Sequence, residues 1–355
     1  KRSNYDDHYM DYSAGLKTVM NLSENDNLEI SYGFDQYDKA RYVNDERTHD
    51  HDYTNRQDTV RALYSHIFGK NTLTVGADFL NDYLTTYQFE DNESKNQNSC
   101  DAFAQFDYNP LQWLNIVASL RHDYFSASSQ HATTGRLALM TKWKGFSIRA
   151  NYAGGFRAPT LKEMYMNFDM AGMQMIYGNP DLKPTFTNNV SINFNNYSML
   201  KGESFYMSGS YSMTNNPIVM NTTTDEVGKN TYQSINLTGN ANTNHYMYGS
   251  YSRSIKKTGF STGLNLNMSG SNRYNMVNGA INKMTSGTYS ARLNVSHNIA
   301  KKYYASIDFG PSYNATQASL QQQQNNNGWG TSGNYQLGVY LPWNIEIASG
   351  GNYTY

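Results

Sequence analysis

Apolar and polar residues alternate along most of this 355-residue chain. The alternation is strict in several separate stretches, in which apolar side chains occupy one parity and polar or small side chains the other: 10–20, 72–79, 114–121, 260–268 and 303–310. Because successive side chains of a β-strand point to opposite faces, each stretch predicts a strand with one apolar and one polar face. Helical spacing of apolar residues is not sustained anywhere, so the pattern predicts an all-β protein.

The length of the alternating stretches separates two kinds of β protein. Stretches such as 73–87 and 232–252 alternate over roughly 11–20 residues, whereas strands of soluble proteins typically contain about 5–6 residues. A tilted strand needs about 9–11 residues to cross the hydrocarbon core of a bilayer. The pattern therefore predicts transmembrane strands that continue above the membrane.

The polarity of the two faces predicts which face meets lipid, because a transmembrane barrel turns its apolar side chains outward and its polar side chains inward. The residues expected to face lipid include Leu16, Phe79, Ile116, Leu266 and Ile307. The residues expected to line the lumen include Asp78, Arg121, Asn265 and Asp308.

The connectors between the predicted strands alternate between short and long. Short turns are predicted at 69–70, 109–110, 143–145, 201–202, 256–257, 300–301 and 342–343. Longer polar loops are predicted at 41–56, 90–98, 156–184, 223–230, 271–286 and 318–330. Short turns at one end and long loops at the other are typical of a transmembrane antiparallel up-and-down β-barrel. Roughly sixteen strands fit this pattern, and a barrel of that size encloses an aqueous or plugged lumen.

Composition agrees with a barrel wall. Tyr is present 31 times, Gly 27 times and Phe 15 times, while charged residues make up only 16% of the chain. The mean hydropathy of −0.72 is polar, as expected when only every second residue meets lipid. The formal net charge of −1 gives no indication of nucleic acid as a partner. Cys100 is the only cysteine, which excludes an intramolecular disulfide framework.

Two motifs bound the longest polar loop. The loop opens with Gly155-Phe156-Arg157-Ala158-Pro159 and closes with Asn179-Pro180-Asp181-Leu182-Lys183-Pro184. The two motifs, in this order, resemble the FRAP and NPDL boxes of TonB-dependent outer-membrane receptors, and the resemblance covers most of the chain. Proline fixes φ and lacks an N–H donor, so it ends strand pairing and stiffens a loop. The boxes are therefore interpreted as loop anchors, through Phe156, Arg157, Ala158, Pro159, Asn179, Pro180, Asp181 and Leu182.

The resemblance implies an architecture. Receptors of this family have 22 strands and an N-terminal plug that carries the segment bound by TonB. Residues 1–355 are interpreted as a transmembrane barrel portion of a longer receptor, with about sixteen of a probable 22 strands visible. On this interpretation the plug and some strands lie outside the sequence. The alternative is a complete, plugless barrel of about sixteen strands.

The resemblance also implies a location and a function. A receptor of this family lies in the bacterial outer membrane, contacts the lipid bilayer and engages TonB through its plug, with a surface lipoprotein as a possible further partner. It takes up a small, bulky, scarce nutrient of the iron–siderophore, haem or cobalamin class. A scaffold subunit of an outer-membrane complex and a passive porin remain alternatives. No G-x-S-x-G or H-E-x-x-H motif is present, so neither an enzyme nor a cofactor is predicted.

The segment between the boxes is rich in methionine and supplies the candidate ligand-binding residues. These are Arg157, Met170, Met173, Met175 and Tyr177. Thioethers are soft ligands for copper(I) or haem iron, but methionine is also a flexible apolar filler, and packing is the competing interpretation. Haem-receptor relatives carry a histidine between the boxes and this chain has none there, which weakens a haem assignment. The pair His49 and His51 is interpreted as part of a solvated loop, and no metal site is predicted.

Overall fold

The computed structural model describes residues 4–89, 93–170, 172 and 174–355, with the backbone alone at residues 50 and 170. Sixteen long strands in this part of the chain form one antiparallel sheet: β1 (Tyr5–Asn21), β2 (Asp26–Val43), β3 (Glu46–Phe68), β4 (Asn71–Thr86), β5 (Lys95–Leu111), β6 (Leu114–Phe125), β7 (Gln130–Trp143), β8 (Phe146–Arg157), β11 (Thr185–Ser198), β12 (Glu203–Asn215), β15 (Ala241–Ile255), β16 (Phe260–Val277), β17 (Ala280–Ile299), β18 (Tyr303–Ala318), β19 (Asn326–Leu341) and β20 (Ile345–Thr354). The predicted all-β transmembrane barrel wall is confirmed.

Four shorter strands join the same sheet from the loops. They are β9 (Asn167–Met170), β10 (Gln174–Tyr177), β13 (Ile218–Thr224) and β14 (Asn230–Asn236), and the short helix α1 (Leu161–Tyr165) precedes them. Single-turn 3-10 helices occupy Gln322–Gln324 and Pro342–Asn344. No helix in the described residues is long and apolar enough to cross a membrane.

Each wall strand pairs with the wall strand that follows it, so the sheet is a simple meander. The ladder passes from β8 directly to β11 and from β12 directly to β15. Among the described residues, β1 pairs only with β2 and β20 only with β19. The intervening strands β9, β10, β13 and β14 therefore belong to loops at one end of the wall.

The two faces of the wall carry the predicted side chains. Leu16, Phe79, Leu266 and Ile307 are exposed on the apolar face, whereas Ile116 is half-buried there. Asp78, Arg121, Asn265 and Asp308 are half-buried on the opposite face. An exposed apolar face on an isolated wall is the arrangement that a lipid environment requires, and it excludes a soluble sandwich with a central apolar core.

Aromatic side chains gather at both edges of the apolar band. Phe106 lies between Phe68 and Tyr108 near the short turns, with ring centroids 5.6 and 5.7 Å apart. Towards the long loops, the ring of Tyr313 lies 4.8 Å from that of Trp329. Aromatic residues favour the interface between hydrocarbon and headgroups, so the two groups mark the two membrane surfaces.

Most of the predicted turns are confirmed, but three connectors differ. The segments predicted as loops at 41–56 and 271–286 are the tips of long hairpins, because β2–β3 and β16–β17 continue to two-residue turns at Asn44-Asp45 and Asn278-Gly279. All four turn residues have positive φ, which suits the right-handed twist of the flanking strands. The turn predicted at 109–110 lies at 112–113, because β5 contains an irregularity between Tyr108 and Leu111 and continues past Pro110.

Candidate functional site

The loop between the two boxes begins where β8 ends at Arg157 and leads at once into α1. Thr160 caps this helix: its hydroxyl accepts from the backbone N–H of Glu163, 3.2 Å away, and the Glu163 carboxylate accepts from the N–H of Thr160 at 2.9 Å. This reciprocal pair is a capping box, which satisfies two backbone donors at the helix start. The three-residue spacing between Thr160 and Glu163 thus encodes the turn that follows the first box.

Arg157 is engaged within the loop. Its guanidinium donates two hydrogen bonds to Glu163, of 2.8 and 3.2 Å. Burial is the largest single influence on Glu163 and raises its pKa. The hydrogen bonds from Arg157 and Thr160, together with the charge of Arg157, outweigh burial, so the pKa of this carboxyl is lowered from its ordinary value of 4.5. The bidentate pair fixes the planes of both groups and joins the end of β8 to α1.

α1 packs against the inner face of the wall near the long-loop end. Leu161 and Met164 are each only 2% exposed, and Leu161 forms an apolar cluster with Leu84 of β4 and with Phe89. Burial of side chains of this size contributes about 1.5–3 kcal/mol each. Leu84 has the same strand parity as the inward-facing Asp78, so the loop folds back into the mouth of the barrel.

The second box is tied to the hairpin formed by β13 and β14. The Asn179 side chain donates to the carbonyl of Ser234 at 3.0 Å. The backbone of Lys183 exchanges two hydrogen bonds with the side chain of Asn236, at 2.8 and 3.0 Å. Leu182, between these two anchors, is 1% exposed. The second box therefore connects two long loops to each other.

The remaining box residues have simpler surroundings. The ring of Phe156 lies 5.1 Å from that of Phe125 on β6. Pro159 is buried and Ala158 is half-buried, whereas Pro180 and Asp181 are exposed. These contacts favour the interpretation of the boxes as loop anchors.

Gly178 marks the point of closest approach within the loop. A Cβ atom at this position would lie 2.5 Å from the carbonyl oxygen of Met164. The N–H of Gly178 donates to the carbonyl of Met166, and the next N–H, of Asn179, donates to that of Glu163 at 2.9 Å. Only glycine leaves room for this contact between the end of the loop and α1.

The loop strands form a small sheet over the mouth. β9 pairs with β10, β10 runs parallel to β14, and β14 pairs with β13. β13 in turn makes a short parallel contact with β16 of the wall. We call these four strands together with α1 the loop layer. It is joined to the wall at several points and is a folded element.

The structure separates the candidate ligand-binding residues. Met175 and Tyr177 alternate with Gln174 and Ile176 along β10, so they share one face of the loop layer, and Tyr177 is 41% exposed. Arg157 pairs with Glu163 at the end of β8. Met170 ends β9, and Met173 lies outside the described residues. A role in ligand binding is therefore best tested on the loop methionines. Arg157 is already paired with Glu163, so it is interpreted as a residue that positions the loop.

The histidine pair in 48–52 belongs to strand β3. The Nδ1 atom of His49 lies 2.8 Å from a carboxylate oxygen of Asp52, and the ring of His51 lies 4.7 Å from that of Tyr87. The described residues contain no cluster of three or more histidine, cysteine or acidic side chains able to hold a metal ion. The solvated-loop interpretation was wrong about the backbone, because β3 runs through this segment.

Cationic and aromatic side chains meet around the mouth, a feature that the sequence analysis missed. Lys162 of α1 lies over the ring of Tyr53, with its Nζ 4.7 Å from the centroid. Similar contacts join Lys39 to Tyr9, Arg41 to Tyr5 and Lys95 to Tyr165. Lys39 and Arg41 lie two residues apart on the same face of β2, and Arg41 is directly opposite Asp7 on β1. Both cations reach Asp7, at 2.9 and 2.7 Å, and these contacts hold the pKa of Asp7 well below its usual range. Strand parity could have grouped the members that lie on β1, β2, β3 and β5 on the inner face, but not Lys162 and Tyr165, which lie on α1.

The inner face of β3–β6 carries a second charged group. Arg61 pairs with Asp78 at 2.7 Å, and Arg121 reaches Asp101 at 2.7 Å and Asp123 at 2.9 Å. Asp101 and Asp123 face each other across β5 and β6 and are nearly buried. By contrast, the inner face of β12, β15 and β16 consists largely of neutral serine, asparagine and tyrosine. Arg292 of β17 and Asp308 of β18 form a further pair at 3.2 Å, so the charged pairs of the inner face lie on both flanks of this neutral stretch.

Two family models match the chain. One, described as TonB dependent receptor-like, beta-barrel, matches residues 2–245. The other, described as Outer membrane protein beta-barrel family, matches residues 166–339. No curated protein sequence matches the chain.

Several solved structures share the fold at low sequence identity. The siderophore receptor PirA from Acinetobacter baumannii is 13% identical with a TM-score of 0.62, and the match covers 97% of this chain and 58% of that one. A mutant of the ferric enterobactin receptor PfeA from Pseudomonas aeruginosa is 11% identical, with a TM-score of 0.65 and coverage of 97% and 56%. The copper transporter OprC is 12% identical, with a TM-score of 0.58 and coverage of 96% and 59%.

The chain therefore spans less than two thirds of the length of these structures. The structures named are receptors and a transporter, and none is an enzyme. The family match covers more than half of the present chain and agrees with the meander, the outward apolar face and both boxes. The chain belongs to the TonB-dependent receptor-like β-barrel family of the bacterial outer membrane.

Proposed function

We propose that the protein carries out energised uptake of a small, bulky, scarce nutrient, which it binds at the loop layer before transport through the barrel. The observation that carries the proposal is the loop layer itself. It is folded over the mouth and is held there by the buried side chains of Leu161 and Leu182 and by the hydrogen bonds that Asn179 and Lys183 donate. A passive pore needs an open mouth, whereas a packed layer suits a receptor that selects its ligand.

The side chains at the mouth support a ligand that carries negative charge and ring or apolar surface. Lys162 places a cation beside the ring of Tyr53, and Lys39 and Arg41, which share the single carboxylate of Asp7, lie beside two further rings. Such pairs can contact both a charged group and a flat surface. An iron–siderophore fits this description. Haem and cobalamin also belong to the proposed class, and the absence of histidine from 156–184 disfavours haem.

Energy for transport would come from TonB, acting on a plug domain inside the barrel. The inward-facing charged side chains of β3–β6 offer a polar surface for such a domain. A surface lipoprotein is a further possible partner at the loop layer. The role of scaffold subunit is the alternative, and it would need the wall and the loop layer but no nutrient.

The test replaces the loop methionines Met170, Met173 and Met175 together by serine in the full-length protein. A buried thioether side chain contributes up to about 1.5–3 kcal/mol of apolar burial, so partial contact by three of them would weaken binding tenfold or more. Growth on limiting iron or corrinoid sources reports uptake, and heat-modifiable migration on a gel reports assembly. Met199→Ser is the matched control, because Met199 is 70% exposed in the turn after β11, at the opposite end of the wall.

The two readouts separate the alternatives. Normal assembly with lost growth in the triple variant, and normal growth in Met199→Ser, supports ligand contact by the loop layer. Lost assembly means that the methionines are structural packing. If deleting the whole gene leaves growth on every iron and corrinoid source unchanged while an outer-membrane complex is lost, the protein is a scaffold subunit.

A further inference from the structure

A groove crosses the outward, apolar face of the wall between β12 and β19. It encloses about 610 Å³, and its lining includes Met207, Gly249, Leu266, Ala291, Pro311 and Trp329. No charged residue contributes to the lining. The groove lies on the face that meets lipid, on the opposite side of the sheet from the lumen and the loop layer.

Small residues and a break in the hydrogen-bonded ladder form the floor of the groove. Gly249 and Ala291 both lie in register with Leu266, on either side of it. Between β17 and β18 the ladder skips the pairs Ala291–Pro311 and Arg292–Gly310 and then resumes in the same register. Pro311 lacks an N–H donor, which accounts for the interruption.

The two strands approach closely at this break. A Cβ atom at Gly310 would collide with the carbonyl oxygen of Ala291, so only glycine fits there. By contrast, a Cβ atom at Gly249 would meet no other atom within 4 Å, which shows how open the groove is at that point. The depression is therefore built by the backbone of the wall.

Aromatic residues close the groove at the end nearest the long loops. The ring of Tyr313 lies 6.4 Å from that of Tyr289 and 4.8 Å from that of Trp329. Trp329 is 75% exposed. Because Tyr and Trp favour the headgroup level of a membrane, this end of the groove lies at the membrane surface below the long loops.

We propose that the groove is a binding site for an acyl chain of lipid A, the lipid of the outer leaflet. The chain would run over Gly249 and Ala291, with its polar headgroup above Tyr313 and Trp329. The groove is continuous with the lipid-facing surface of a wall that lies in the outer membrane. Its exposed lining is almost entirely apolar and carries no charged residue, which suits a methylene chain better than the polar backbone of a peptide.

Native mass spectrometry of the full-length protein in mild detergent, with added lipid A, tests the site. Ala291→Phe and Gly249→Leu each fill the groove, and the open space at Gly249 makes the second change compatible with the fold. Ala118→Phe is the matched control, because Ala118 is an exposed, outward-facing alanine of β6, outside the groove. Heat-modifiable migration confirms that each variant is assembled, and Gly249→Leu decides if Ala291→Phe does not assemble.

The wild-type protein and Ala118→Phe are expected to retain one lipid A molecule per chain, and the groove-filling variants at least tenfold less. Equal retention by all assembled variants would overturn the proposal. So would equal retention of an added phosphatidylethanolamine, since the site would then not select the outer-leaflet lipid. A doubled protein mass that disappears in Gly249→Leu would instead assign the groove to a second copy of the chain. None of these outcomes depends on nutrient uptake.

Discussion

Ile307→Arg places a charge at the centre of the apolar band. Ile307 is 55% exposed on the outward face of β18, between the outward-facing rings of Tyr303 and Tyr313, which are ten residues apart. Ten residues at about 3.4 Å each span about 34 Å along the strand. With a tilt of about 35–45°, this becomes about 24–28 Å across the membrane, close to the height of about 25 Å expected for the lipid-facing band.

Ile307 lies near the middle of this distance, so the arginine would sit near the bilayer midplane. A midplane arginine on the lipid face costs about 2–4 kcal/mol, which lowers the folding equilibrium constant by about 30- to 700-fold. Equilibrium unfolding by guanidinium chloride in phospholipid vesicles, followed by tryptophan fluorescence, measures this loss.

Ser306→Arg is the matched control for the same experiment. Ser306 is the preceding residue and faces the lumen between Ser296 and Gln336, and Asp308 lies two residues away on the same face. We expect this variant to unfold within about 0.5 kcal/mol of the wild type. If the two variants lose equal stability, or if Ser306→Arg is the less stable, the assignment of the faces is wrong.

Two further predictions concern the loop layer and use limited proteolysis of 156–184 as the measurement. Because the pKa of Glu163 is lowered in the folded loop, its ionised carboxylate stabilises the loop above the ordinary value of 4.5, and this stabilisation is lost as the pH falls through the folded pKa. Cleavage of the loop should therefore rise in that acidic range, and Glu163→Gln should be cut faster than the wild type at neutral pH, for a loss of about 1 kcal/mol. Equal cleavage of both proteins at pH 7 would contradict the anchoring role. Gly178→Ala should destabilise the loop by about 1–3 kcal/mol, because its Cβ would meet the carbonyl of Met164. Gly249→Ala is the control and should be cleaved like the wild type, because a Cβ there meets nothing within 4 Å.

The barrel wall could be predicted from the sequence because its two faces see different solvents. A period-two pattern survives in every segment that crosses lipid, such as 72–79 and 303–310. Above the membrane both faces of a strand meet water, and the pattern disappears. The tips of β2–β3 and β16–β17 therefore look like loops in the sequence, although Asn278-Gly279 is a strong hairpin signal.

The loop layer could be predicted only in part. The capping box of Thr160 and Glu163 is local and can be recognised in the sequence. The cluster of Leu161 with Leu84 and Phe89 joins segments far apart in the chain, and no local pattern encodes it. The same holds for the hydrogen bonds of Asn236 to Lys183. The two boxes indicated where the loop is anchored, but its partners required the structure.

Cysteine labelling of intact cells tests most directly whether the loop layer lies on the outside of the cell. Val227 is 89% exposed at the tip of the β13–β14 hairpin in the loop layer, and Lys257 is exposed in the turn after β15 at the opposite end of the wall. Both are replaced by cysteine, one at a time, in a Cys100→Ser background, because Cys100 is itself exposed.

We expect a membrane-impermeant maleimide to label Val227→Cys in intact cells, and to label Lys257→Cys only after the outer membrane is permeabilised. Labelling of Lys257→Cys alone in intact cells would invert the wall and contradict the account. Labelling of both positions in intact cells would contradict a membrane-spanning wall altogether.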